Sequence, residues 1–101
     1  MIDERIKKLA HGLVNYSVKL KENENVLIHL SGEDSYELGK EIVKEVYKVK
    51  GNPFVRIENE KINNALIKDA SKDMLNLKRS LELEEMKKMD AYIGIRASNN
   101  I

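Results

Sequence analysis

Two histidines, His11 and His29, are the side chains of this sequence best suited to acid–base chemistry or to metal binding. Neither lies in an H-E-x-x-H or H-x-x-E-H pattern. A metal site needs three or four convergent ligands, and two histidines far apart in sequence do not supply them. We therefore expect His11 to be a partly solvated surface histidine. His29 lies in an apolar run, and we expect it to be a satisfied histidine at the core boundary.

A second set of polar residues follows three apolar runs that resemble strands. The set comprises Ser31, Gly32, Glu33 and Asp34 after the first run, Glu58 and Glu60 after the second, and Ser98, Asn99 and Asn100 after the third. Ligands of open parallel sheets bind at the carboxyl ends of the strands, where these residues would lie. The first loop has a single glycine and two acids that would repel a phosphate, which argues against a nucleotide site. The acids at positions 33, 34, 58 and 60 form either an electronegative rim for a cationic group or ordinary solvated charge, and the second interpretation is favoured.

Other catalytic arrangements are missing from the sequence. No serine lies in a G-x-S-x-G elbow, and the sequence has no cysteine for a thiolate or a disulfide. Tyr16, Tyr36, Tyr47 and Tyr92 lie at positions compatible with the core, and we expect them, like the methionines, to serve packing. We predict no catalytic, cofactor-binding or metal-binding residue in this sequence.

The elements that would position these residues alternate between helix and strand. Apolar residues at helical spacing over positions 2–20 predict one long helix, with Asp3 as its N-cap and with Leu9 and Tyr16 on its apolar face. Strands are predicted at 26–30, 54–57 and 91–96. A second helix runs from about 35 to its stop at Gly51 and Pro53. A third helix near 62–70, a short turn near 74–77 and a fourth short helix near 81–89 complete the pattern.

This alternation predicts a single α/β domain over residues 1–101. We expect a three-layer, Rossmann-like arrangement in which helices flank a short parallel sheet. The first strand is the most apolar and should lie in the middle, giving the order 2-1-3. Arg56 would be costly inside a buried strand, so we place the second strand at an edge.

Composition excludes several classes of protein. Lysines and glutamates alternate and the net charge is +1, which leaves no basic face for nucleic acid. No apolar run approaches the roughly 20 residues of a membrane span, and the charged start is not a secretory signal. We expect a cytoplasmic protein that binds neither nucleic acid nor membrane.

Several segments, in order and with matching spacing, resemble the amino-terminal region of the M29 family of metal-dependent aminopeptidases, the thermophilic aminopeptidases. They are LAHGLVNYSV (9–18), NENVLI (23–28), LGKEIVKEVY (38–47), GNPFVRI (51–57), ASKDML (70–75) and MDAYIGIRASNN (89–100). The similarity covers nearly the whole chain. One departure is Asn23, where the family commonly has a glycine in the turn after the first helix; asparagine is the usual second choice for a left-handed residue.

The resemblance implies a two-domain enzyme that removes N-terminal amino acids from peptides, uses two divalent metals (zinc or cobalt) and assembles as a homodimer. The family's site residues lie in the later domain, and neither His11 nor His29 matches one of them. We therefore expect residues 1–101 to be the amino-terminal domain, inactive without its missing carboxyl-terminal catalytic domain. The alternative is a free-standing Rossmann-like module that binds a small ligand or another protein.

Overall fold

The computed structural model describes residues 3–97, and its three strands form one parallel sheet. The strands are β1 (Asn25–Ser31), β2 (Asn52–Glu58) and β3 (Ala91–Arg96), and the helices are α1 (Glu4–Gly12), α2 (Tyr36–Lys48), α3 (Glu60–Lys68) and α4 (Lys72–Lys87). The strand order is β2-β1-β3. The predicted strands, their order and the edge position of Arg56 are therefore confirmed.

One face of the sheet packs on α1 and α2 and forms the core. Val26, Ile28 and Leu30 alternate along β1 and contribute to it, because successive strand residues point to opposite faces. The helices add Ala10, Val14, Ile42 and Val46, all fully buried. The other face of β1 carries Leu27 and His29, and α3 and α4 lie on that side.

The first helix differs from the predicted long helix. It is regular only to Gly12 and continues as a π-helical turn over Leu13–Ser17. The predicted apolar face, which Ala10 and Val14 widen, is confirmed at those two residues, since both are fully buried. It is wrong at Leu9 and Tyr16, which are exposed. A π-helical turn has more residues than an α-helical turn and rotates the residues that follow it around the axis. The N-cap is confirmed, since the Asp3 side chain accepts a hydrogen bond from the Arg5 amide.

The end of α2 also differs in detail. The left-handed residue after the helix is Lys50, with φ of 62°, rather than Gly51. Gly51 is closely packed, because a Cβ there would lie 2.6 Å from Cδ2 of Leu20, and the leucine side chain would have to shift to admit it. In the loop before β1, Asn23 has φ of 66°, the left-handed conformation expected for this asparagine.

The third layer consists of α3 and α4, which connect β2 to β3. Positions 72–87 form one continuous helix, capped by the Ser71 side chain on the Met74 amide, where a turn and a separate short helix were predicted. No residue of either helix is buried. Met74 and Met86 are exposed, so the expected core role is wrong for these two methionines. This layer covers its face of the sheet much less completely than α1 and α2 cover theirs.

Candidate functional site

His29 lies near the carboxyl end of β1, between Arg56 of β2 and Gly94 of β3 in the register of the sheet. Its Nδ1 lies within hydrogen-bond distance, 3.0 Å, of the Tyr92 hydroxyl. Its Nε2 is enclosed but makes no hydrogen bond to residues 3–97; the nearest carboxylate oxygen, of Glu58, is 3.5 Å away. His29 is at the core boundary, as expected, but only one of its nitrogens is satisfied.

Gly94 lies beside the contact between Tyr92 and His29. The Tyr92 ring leans over Gly94, and a Cβ at that position would lie 3.0 Å from its Cε1 atom. Tyr92 remains 46% exposed, so its main contact here is the polar one with His29. The expectation that all four tyrosines pack in the core is wrong, because Tyr16, Tyr36 and Tyr47 are exposed as well.

Charges around His29 are paired with opposite charges. Arg56 Nη2 lies 2.7 Å from Glu85 Oε1 of α4. On the same helix Lys78 pairs with Glu82, and this hydrogen bond holds the pKa of Glu82 below its usual range despite partial burial. Because Arg56 and Lys78 both have acidic partners, these two cations of the described residues do not form a free positive cluster for a phosphate.

Two depressions meet at His29. The smaller, of about 300 Å³, lies over the ends of β1 and β3 and is lined by polar groups that include Ser31, Glu58 and Arg96. The larger, of about 550 Å³, lies between the sheet and the α3–α4 layer. Its walls are mostly apolar; the apolar side chains of the helices are Ile62, Leu66, Met74, Leu77 and Leu81.

The remaining residues predicted at strand ends do not converge on this site. Glu33 and Asp34 are exposed in a short 3-10 turn, and Glu60 is exposed in the first turn of α3. Gly32 has φ of 89° and packs against the carbonyl of Ala97, where a Cβ would approach the oxygen to 2.4 Å. Of the four candidate acids, Glu58 is the one that faces His29. Ser98, Asn99 and Asn100 lie outside the described residues.

A second cluster between α1 and α2 was not predicted. His11 Nδ1 donates to Glu45 Oε1 at 2.8 Å, and Lys48 Nζ lies 3.2 Å from the other oxygen of the same carboxylate. Burial by itself would raise the pKa of Glu45, but the hydrogen bonds from His11 and Lys48 outweigh it and hold the pKa below its ordinary value. Glu41, one turn earlier, is also buried and pairs with Lys44 at 3.1 Å. His11 itself is half exposed, as expected.

These clusters do not fit a metal centre. Within residues 3–97 no group of three or more histidine, aspartate or glutamate side chains is placed to hold a metal ion. His29 with Glu58, and His11 with Glu45, each offer two ligands, fewer than a protein metal site uses. None of the described helices is long and apolar enough to cross a membrane.

Comparison with known proteins identifies the family of this chain. The family model for thermophilic metalloproteases (M29) matches residues 2–101. Among solved structures, wild-type AmpT from Thermus thermophilus superposes with a TM-score of 0.67 and 14% identity, over 95% of this chain and 25% of AmpT. At that identity the likeness shows the fold, and the chain spans a quarter of the length of that protein. No curated protein matches the sequence. Because the family model matches essentially the whole chain, the chain belongs to the M29 family of thermophilic metalloproteases.

Proposed function

We propose that this chain is the amino-terminal α/β part of a metal-dependent aminopeptidase that releases N-terminal amino acids from peptides. Its family supports a peptidase, and its length, a quarter of AmpT, supports a part of a larger enzyme. The observation that carries the proposal is that residues 2–101 match a metallopeptidase family while the chain covers a quarter of AmpT, a solved structure of the same fold. The catalytic domain is therefore proposed to follow this segment in the complete polypeptide.

The proposed enzyme uses two divalent metals, zinc or cobalt, which in such sites activate a water and stabilise the tetrahedral oxyanion. The ligands are assigned to the part of the polypeptide outside this segment, and neither His11 nor His29 is assigned to the metals. The role proposed for residues 1–101 is structural: they form a folded domain on which the catalytic part is carried. Homodimeric assembly and a cytoplasmic location complete the proposal.

The test compares the 101-residue chain with the complete polypeptide in an aminoacyl-p-nitroanilide assay with added zinc or cobalt. We expect metal-dependent turnover from the complete polypeptide and none from the chain alone. His29→Ala and His11→Ala in the complete polypeptide should leave the metal content per subunit unchanged. Turnover by the isolated chain, or loss of metal in either variant, would contradict the proposal. Light scattering of the complete polypeptide checks the dimer.

A second candidate is a free-standing module that binds a small ligand at the carboxyl ends of the strands. The observation that favours it is the enclosed Nε2 of His29, which has no hydrogen-bond partner among the described residues. A thermal-shift screen of nucleotides and amines separates the two candidates. Stabilisation of the isolated chain that disappears in His29→Ala favours the module, and no stabilisation favours the enzyme part.

A further inference from the structure

The two faces of the sheet are covered very unequally. On the α1–α2 side, Val14, Ile28 and Ile42 are completely buried. On the α3–α4 side, the apolar residues of the helices remain largely in solvent: Ile62 is 64% exposed and Leu81 is 62% exposed. Helices with an apolar stripe normally bury it, since burial of a side chain the size of leucine stabilises by about 1.5–3 kcal/mol.

We use the term open face for the apolar surface formed by Ile62, Leu66, Leu77, Leu81 and Tyr92 on this side of the molecule. Four of these residues belong to α3 and α4, and Tyr92 belongs to β3, next to His29. The four helix residues line the larger depression, and Tyr92 lines the smaller one, which meets it at His29. Exposed apolar surface of this extent marks a site where another element packs. Arg56 and Lys78, beside the open face, already form ion pairs within this segment. An element that packs on the open face would therefore make mainly apolar contacts.

The topology indicates what kind of element would cover it. From β1 to β2 the chain moves toward one edge of the sheet with α2 on the first face. From β2 to β3 it moves back past β1 with α3 and α4 on the opposite face, as right-handed crossovers require. A fourth strand placed beside β3 would continue in the second direction. Its right-handed crossover helix would therefore lie on the α3–α4 side, over the open face.

The edge of the sheet is consistent with such an addition. β3 is at the end of the strand order, so its outer edge has no partner strand among the described residues. Unpaired strand edges are sites where further strands add. The chain covers 25% of AmpT, so under the proposed function most of the polypeptide remains to supply a helix and a strand.

We propose that the open face and the outer edge of β3 form an intramolecular docking surface for the next part of the complete polypeptide, a crossover helix with an apolar stripe followed by a fourth parallel strand. The proposal rests on the proposed function, in which this segment is the front of a longer enzyme. A second copy of the chain is the competing occupant. A tethered segment is favoured because it covers the surface without the translational and rotational entropy cost of association.

The test uses cysteine reactivity, because residues 1–101 contain no cysteine and peptide mass spectrometry distinguishes an introduced thiol from thiols elsewhere in the complete polypeptide. Leu81→Cys places a thiol on the open face. Asn76→Cys is the matched control: it lies on the same helix, is exposed, and is about 140° around the helix axis from Leu81. Both variants are made in the complete polypeptide and in the 101-residue chain. Maleimide labelling at each position is followed by peptide mass spectrometry at two protein concentrations.

In the complete polypeptide we expect Leu81→Cys to label at least about tenfold more slowly than Asn76→Cys, because a covered thiol reacts only when the cover opens. In the 101-residue chain the two positions should label at similar rates. Equal labelling in the complete polypeptide overturns the proposal. So does protection that is lost on dilution to the monomer, since that assigns the surface to a second copy.

A second measurement uses the unmodified protein, so it does not depend on whether a variant folds. Amide hydrogen exchange of the unmodified complete polypeptide should be slow at the alternate amides of β3 that point away from β1, if a fourth strand pairs with them. Fast exchange at these outward-facing amides contradicts the proposal, whereas the amides paired with β1 should be slow in either case. Turnover of aminoacyl-p-nitroanilide by the same preparation tests the proposed function separately. If the enzyme is active but the thiol of Leu81→Cys labels rapidly, the docking surface is wrong and the proposed function is supported. If the protein is inactive but exchange along the outer edge of β3 is slow, the proposed function is wrong and the docking surface is supported.

Discussion

Replacing Glu45 by glutamine tests the cluster between α1 and α2. The carboxylate is only 9% exposed and accepts from both His11 and Lys48. Glutamine keeps the size of the side chain but removes its charge. A hydrogen bond to a charged group contributes about 1.5–3 kcal/mol, and this range is an upper bound here because His11 and Lys48 are more than half exposed. We expect Glu45→Gln to lower the free energy of unfolding by about 1–2 kcal/mol at pH 7.

The measurement is urea unfolding followed by circular dichroism. For a domain of this size a loss of 1 kcal/mol lowers the melting temperature by about 4–8 °C, so thermal unfolding offers a second readout. Glu84→Gln is the matched control. Glu84 also pairs with a lysine three positions later, Lys87, at the same 3.2 Å, but both side chains are largely exposed. Its removal should change stability by less than about 0.5 kcal/mol.

The pH dependence of the difference has a definite sign. The pKa of Glu45 is lower in the folded state than its ordinary value of 4.5. The stability contributed by its ionisation is therefore present above pH 4.5 and is lost as the pH falls through the folded-state pKa. The gap between the wild type and Glu45→Gln should narrow below pH 4.5. Equal stability at pH 7, or a gap that widens in acid, would refute the assignment of the cluster as stabilising.

Three further substitutions test other contacts by urea unfolding. Gly94→Ala should change the free energy of unfolding by at most about 1 kcal/mol, because the new methyl group meets only the half-exposed Tyr92 ring, and the change should be more favourable in a Tyr92→Ala background; equal effects in both backgrounds would contradict the contact. Gly32→Ala should lower the free energy of unfolding by about 1–3 kcal/mol or more, because φ at this position is 89° and the new Cβ would meet the carbonyl of Ala97. An unchanged free energy of unfolding would be inconsistent with this loop conformation. Ser71→Ala should cost about 1 kcal/mol by removing the N-cap of α4, whereas Ser71→Asp should retain it.

The sheet could be predicted from the sequence because its signals are local. The apolar run of β1 indicates a strand covered on both faces, and Arg56 marks β2 as an edge. The continuity of α4 was not predicted, although the stretch from Lys72 to Lys87 contains no proline or glycine. Charged and polar residues occupy its centre. These residues do not break a helix, and they fit α4 because this helix is largely exposed to solvent.

The site around His29 depends on contacts that no local pattern contains. His29 and Tyr92 are 63 positions apart, and His11 and Glu45 are 34 apart. The strand periodicity places His29 and Tyr92 on the same face of the sheet, but it does not show that a tyrosine leans over a glycine to reach a histidine. Glu45 lies among apolar residues of α2, and an acid at such a position is the signal that a partner such as His11 packs against it.

The exposed apolar residues of α3 and α4 connect the errors of prediction with the proposals. Sequence periodicity placed Leu66 and Leu81 on apolar faces of helices, and both line the larger depression, yet in residues 3–97 these side chains are open to solvent. The spacing of apolar residues shows which face of a helix is suited to burial. It does not show whether the segment that buries this face lies within the same 101 residues or elsewhere in the polypeptide. On the α1–α2 side, where the cover lies within this segment, apolar residues such as Val14 and Ile42 are fully buried. On the α3–α4 side the same kind of pattern lacks its cover, which is the result expected if the covering helix and strand belong to the longer enzyme.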